Sequence, residues 1–339
     1  MFRSEKCFIS IALKCCSVTV LLFFIAAKAN GQIAEIRQLQ ASLPAIKDSI
    51  KYVDVLNRIG LLLHTKSADS CFYYGMKAQN IAERLQYNKG RAEAFVNIAI
   101  TLTLKGMHSQ GLSYYIKARD IFLKEGHPEP ATELLMNCAI SYDFLGNYNR
   151  SLQFAKRALK ESEKLKKDSV KSMLIANYVN IDTSLTEAQS DKYLDNATVI
   201  ANKYKDDRTI LFIKQLKAYT LLDNNKPDAA LPYIRQSLAI AHEHQLEYHE
   251  MEGLYVYASY YKAKGNADSA LNCYQTIYKM ALANNYVFWQ IEILELLKDA
   301  YKQKNNTPAQ LRANDSLVSA LKKQNASSNN FIGDYIEYN

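Results

Sequence analysis

The chain has 339 residues with 42 Lys and Arg against 34 Asp and Glu, a formal charge of +8. The charge is scattered, with no run of five or six like residues, which excludes the clustered basic face that a nucleic-acid binder needs. Only 11 Gly and 6 Pro are present, so left-handed turns are few and long helices with short connections are expected.

The chain opens with a basic leader, Arg3, Lys6 and Lys14, followed by an apolar stretch of 13 residues from Cys15 to Ala27. Ala27-Lys28-Ala29 is a small-x-small site with cleavage expected before Asn30. Residues 1–29 are therefore read as a signal peptide, and the protein as exported, periplasmic or secreted. The alternative is an uncleaved anchor starting near Phe8. Residues 32–50, with Ile33, Ile36, Leu39 and Leu43, are expected to form a capping helix.

From residue 51 to residue 321 one spacing governs the chain. Ala78, Ala118, Ala158, Ala197, Ser237, Ile277 and Leu317 follow each other at 40, 40, 39, 40, 40 and 40 residues. A period in this range marks an array of stacked units. Within a unit the apolar residues recur three or four apart, the spacing of one helix face. Gly106, Gly146 and Gly265 fall midway, where a first helix ends in a left-handed cap. Each unit is thus helix A, a tight turn, then helix B. Asp69-Ser70, Asp268-Ser269 and Asp315-Ser316 read as N-caps of B helices. Residues 322–330 are polar and expected to be loose. The end carries Phe331, Tyr335 and Tyr338 at i, i+4, i+7, read as a turn covering the last repeat or a docking peptide.

The marks of the second, third and sixth units carry a resemblance. They are Ile98-Ala99, Leu102, Gly106, Gly111, Tyr115 and Ala118; Cys138-Ala139, Tyr142, Gly146, Ser151, Ala155 and Ala158; and Tyr257-Ala258, Tyr261, Gly265, Ala270, Tyr274 and Ile277. This pattern resembles the tetratricopeptide repeat family. The resemblance implies an all-α, right-handed α-solenoid of about seven helix-turn-helix repeats. The family's usual unit is shorter, so longer helices are expected here. Long-period arrays behind a leader are similar to the extracytoplasmic sensor regions of some bacterial histidine kinases.

One polar residue obeys the period: Asn57, Asn97, Asn137 and Asn177 lie 40 residues apart on helix A. The equivalent positions further on are Leu216, Val256 and Leu296. In the family this helix lines a concave groove, and the asparagines resemble a ladder that grips extended peptide. An amide both donates and accepts, so it can pair with a peptide group whatever its side chain. The alternative is that the amides bridge neighbouring helices. Ile100, Ile140, Phe144, Tyr219 and Tyr255 are expected to line the same groove.

Other chemistry is weakly signalled. Cys71, Cys138 and Cys273 stand at positions that elsewhere take small apolar residues, so they read as buried thiols. His242, His244 and His249 cluster with Glu243, Glu247 and Glu250 without the spacing of a zinc hydrolase, and read as a solvated helix end. No phosphate-binding loop or nucleophile motif appears. The expected function is a non-catalytic scaffold that binds a peptide or protein segment, without small-molecule cofactor, metal or nucleic acid. The alternative is a sensory module of a two-component-type system acting with a separate kinase or regulator, including a membrane-associated signalling partner.

Overall fold

The computed structural model describes the backbone of residues 29–338 and the side chains of residues 33–325, residue 65 excepted. The expected leader falls outside the described residues save Ala29. Among the described residues there are fifteen α-helices and no strand. The helices are α1 (Ala29–Ser42), α2 (Ser49–Leu63), α3 (Ala68–Arg84), α4 (Asn88–Leu104), α5 (His108–Lys124), α6 (Pro128–Phe144), α7 (Tyr148–Ser162), α8 (Lys171–Ile181), α9 (Glu187–Tyr204), α10 (Asp207–Asp223), α11 (Pro227–Glu243), α12 (Glu247–Ala263), α13 (Ala267–Ala283), α14 (Val287–Gln303) and α15 (Thr307–Tyr338). The arrangement is an α-solenoid of helix pairs, with α2, α4, α6, α8, α10, α12 and α14 as the A helices.

The chain divides into two compact units, Met1–Leu216 and Lys217–Asn339. In the first, each helix from α1 to α9 packs on the next, and the A helices α2 and α4, and α6 and α8, also touch. In the second, α11 to α15 pack in the same consecutive order. Its core includes Ala218, Ala230, Ile234 and Val256, with Tyr233, Tyr257 and Tyr260 against it.

A and B helices differ because their surroundings differ. No residue of α4 is fully exposed, since α2, α3 and α5 surround it. A helix covered on all sides can be apolar all round. By contrast α7 buries only Ser151, Ala155, Ala158 and Ser162, a narrow stripe of small residues. Small side chains there let the helices approach closely.

The turns reveal a finer period. Residues 86, 106, 126 and 146, and then 205, 225, 245, 265, 285 and 305, all have φ between 51° and 78°. Each follows a helix, and the next N–H bonds back five residues: Met107 to the Leu102 carbonyl at 2.8 Å, Asn266 to Tyr261 at 2.8 Å. That bond satisfies a helix-end carbonyl and turns the chain sharply. One helix and one turn therefore take 20 residues, at A–B and B–A junctions alike. Gly occupies four of these positions, the other six being Gln86, Lys205, Asn225, Gln245, Asn285 and Asn305.

The rhythm breaks in the fourth pair, where the sequence period drops to 39. Helix α8 has only 11 residues. Asp182 closes its end, accepting from the Tyr178 hydroxyl at 2.8 Å and from the Ser184 N–H at 3.2 Å. A capping box between Thr186 and Gln189 then starts α9.

Two local expectations are corrected. The N-caps of α3 and α13 are Ser67 and Asn266, two or three residues before the expected Asp-Ser pairs. Asp69 and Asp268 instead stand in the first turn, where a carboxylate favours the helix N-terminus. There they, like Asp228 in the first turn of α11, meet a lysine 36 residues on: Lys105 Nζ lies 2.6 Å from Asp69, Lys264 lies 3.0 Å from Asp228, and Lys304 pairs with Asp268. Asp315-Ser316 lies inside α15, which runs on through 322–330 where a loose segment was expected. Residues 32–50 hold most of α1, a 3-10 turn at Leu43–Ala45 and the start of α2.

Candidate functional site

The four asparagines of the ladder are all buried, with exposures of 4% or less. Two of them tie A helices together. Asn57 donates from Nδ2 to the Gly90 carbonyl of α4 at 2.8 Å. Asn97 donates from Nδ2 to the Asn57 carbonyl of α2 at 3.0 Å. Glycine makes these contacts possible: a Cβ on Gly60 would lie 2.9 Å from Asn97 Nδ2, and one on Gly90 would lie 2.7 Å from Val53. In the short helix α8, Asn177 turns inward and donates to the Met173 carbonyl of its own helix at 2.9 Å.

Asn137 differs from the other three. It is 4% exposed, its Oδ1 is enclosed without a partner as are those of Asn57 and Asn177, and among the described residues its Nδ2, unlike theirs, donates no hydrogen bond. A buried amide left unpaired costs about 1–3 kcal/mol. Its Nδ2 is therefore a donor that the fold leaves unused.

Asn137 belongs to a row along α6. Glu133, Asn137, Ile140 and Phe144 follow at i, i+4, i+7 and i+11, the spacing of one helix face. Ile140 is buried at 2%. Phe144 is half-buried and stacks on His108 with ring centroids 4.6 Å apart. Burial pushes the His108 imidazole down to about 4, so the stack is of two neutral rings at pH 7.

Glu133 and Glu93 occupy the same place in successive repeats. Glu93 has Lys89 one turn before it, with Nζ 3.6 Å from its carboxylate. Burial raises the Glu93 carboxyl to about 6, with Lys89 opposing the rise. Glu133 has Glu129 in place of that lysine. Burial, and secondly the like charge of Glu129, push the Glu133 carboxyl up to about 8. The sequence reading missed Glu133; the substitution of Glu129 for Lys89 at the same register was the available signal.

The remaining groove candidates belong to both units. Ile100 is buried at 1% in α4. Tyr219 and Tyr255 belong to the second unit, where Tyr255 is 8% exposed and packs on Tyr274 and Trp289. His249 points into the fold and bonds through Nδ1 to Glu252 at 2.9 Å, so the three histidines do not converge. Among the described residues no group of three His, Cys, Asp or Glu side chains could hold a metal. Cys71, Cys138 and Cys273 are buried and free, and burial raises all three thiols to about 11 or 12.

No family model and no curated protein matches the chain. Solved structures do. A Rap protein complexed with competence and sporulation factor aligns at a TM-score of 0.63 and 13% identity, over 91% of this chain and 90% of that one. The Rap conjugation gene regulator of plasmid pLS20, in complex with the Phr* peptide, aligns at 0.61 and 13%, over 80% and 76%. Aspartyl phosphate phosphatase F from Bacillus subtilis aligns at 0.55 and 12%, over 80% and 70%.

These likenesses correct one expectation. The location read from the leader was exported, periplasmic or secreted, whereas the Rap structures with which the chain shares its fold are of cytoplasmic regulators. Among the described residues no helix is long and apolar enough to cross a membrane. In fold, the chain is a tetratricopeptide-like helical-repeat protein.

Proposed function

We propose that the chain is a non-catalytic scaffold that binds an extended peptide or protein segment along the A helices of its first unit. The observation that carries this reading is Asn137, a buried residue whose Nδ2 is undonated where Asn57, Asn97 and Asn177 give theirs to backbone carbonyls. Its Nδ2 would donate to a ligand peptide carbonyl. Two Rap structures of this fold carry competence and sporulation factor and the Phr* peptide, which supports a peptide as the ligand class.

The energetics limit what Asn137 can do alone. One hydrogen bond nets about 0.5–1.5 kcal/mol, and even a 1 mM complex requires about 4 kcal/mol. Apolar and charged contacts on either side of Asn137 must supply the rest. A second reading, a peptide-sensing module that acts on a separate signalling partner, takes support from the regulator carrying Phr*.

The test is selection of a random heptapeptide display library on the immobilised full chain. The wild type is expected to enrich a peptide set, and Asn137→Leu to lose that set while keeping the same helical melt. Equal enrichment by the two proteins would refute the assignment.

A further inference from the structure

The pairing of Glu129 with Glu133 says what the ligand carries. In the repeat before, the same two places hold Lys89 and Glu93, a neutral pair at 3.6 Å. In α6 both are acidic, and Glu129 is the charged neighbour that acts on Glu133. No cation of the protein pairs with Glu133 among the described residues. The half-buried Glu133 stands one helical turn before the unpaired Asn137 amide, on the same face. A carboxyl so placed is partly desolvated with no cation to compensate it, and its like-charged neighbour adds to the penalty.

We propose that Glu133, supported by Glu129, receives a lysine or arginine side chain of the bound peptide, while Asn137 holds the peptide backbone beside it. This rests on the peptide reading given above. The cation would replace the water lost by the Glu133 carboxylate, as Lys89 does for Glu93 in α4. Binding would draw a proton off Glu133, since a cation at contact distance favours the charged carboxylate.

The two readings separate in one selection. Random heptapeptides are displayed against the immobilised wild type, Glu133→Gln and Glu129→Lys. The last variant installs the lysine that α4 carries at this register, so it should occupy Glu133 from within. The wild type is expected to enrich peptides with Lys or Arg at one fixed position. Both variants should still enrich peptides, without the basic residue. A synthetic peptide from the wild-type set should bind each variant about tenfold more weakly or worse, the scale of a lost close charge pair. A wild-type set with no basic excess, or one that both variants select unchanged, overturns the charge assignment and leaves the peptide reading standing. No enrichment by the wild type over an unrelated helical protein overturns both. Matching circular-dichroism melts show that the variants are folded; should Glu129→Lys fail to fold, Glu133→Gln alone decides.

Discussion

Burial holds the Glu133 carboxyl protonated into the neutral range, and stability should report it. Its folded value of about 8 lies above the ordinary 4.5, so the native state binds the extra proton. Stability from this group is complete below about 4.5 and is lost as pH rises through about 8. Glu93 acts in the same sense only up to about 6, and His108 in the opposite sense, losing stability as pH falls towards about 4. Glu133→Gln removes one contribution and leaves the others. The variant should melt above the wild type at pH 8 by roughly 2–4 °C or more, with the gap closing by pH 4.5. Parallel melting curves across that window would contradict the burial of this carboxyl.

At the scale of the element, the left-handed residue closing each helix sets the 20-residue rhythm. Gly106 has open space around a would-be Cβ, so Gly106→Ala costs only the backbone strain of φ +78°, about 1 kcal/mol. Gln86 already carries that strain at φ 53°. Gln86→Gly should therefore gain up to about 1 kcal/mol while Gly106→Ala loses a similar amount. Urea unfolding of the two variants checks this, and shifts of the same sign would contradict it. These turns also mark how far the sequence could be read. Gly106, Gly146 and Gly265 announced the A–B turns, because glycine is the residue that accepts this conformation cheaply. Gln86, Lys205 and Gln245 close helices in the same way but are ordinary helix formers, so half the rhythm was hidden. The N-caps were misread for a related reason: an aspartate suits the first turn as well as the cap, and only the three-dimensional lysine partner separates the two.

Across the whole molecule, the 40-residue spacing of small residues was enough to read a helical-repeat fold, because close helix packing forces that spacing. The asparagine ladder was legible in register but not in its contacts. Sequence alone aligned Asn57, Asn97, Asn137 and Asn177, yet an amide that bridges two helices and one whose donor the fold leaves unused look identical as letters. Only contact partners divide them, and those depend on Gly60 and Gly90 letting α2 and α4 close up. The fourth repeat departs from the rhythm because Asp182 and the Thr186 capping box replace the usual turns. The most direct test of this division needs no ligand: chemical unfolding of Asn97→Leu beside Asn137→Leu. Removing the Asn97 bridge should cost about 1–3 kcal/mol. Replacing the unpaired Asn137 by an apolar residue of similar size should cost less than about 0.5 kcal/mol or stabilise the fold. Equal losses at the two positions would show Asn137 to be scaffold like its neighbours, and would contradict its assignment to a binding site.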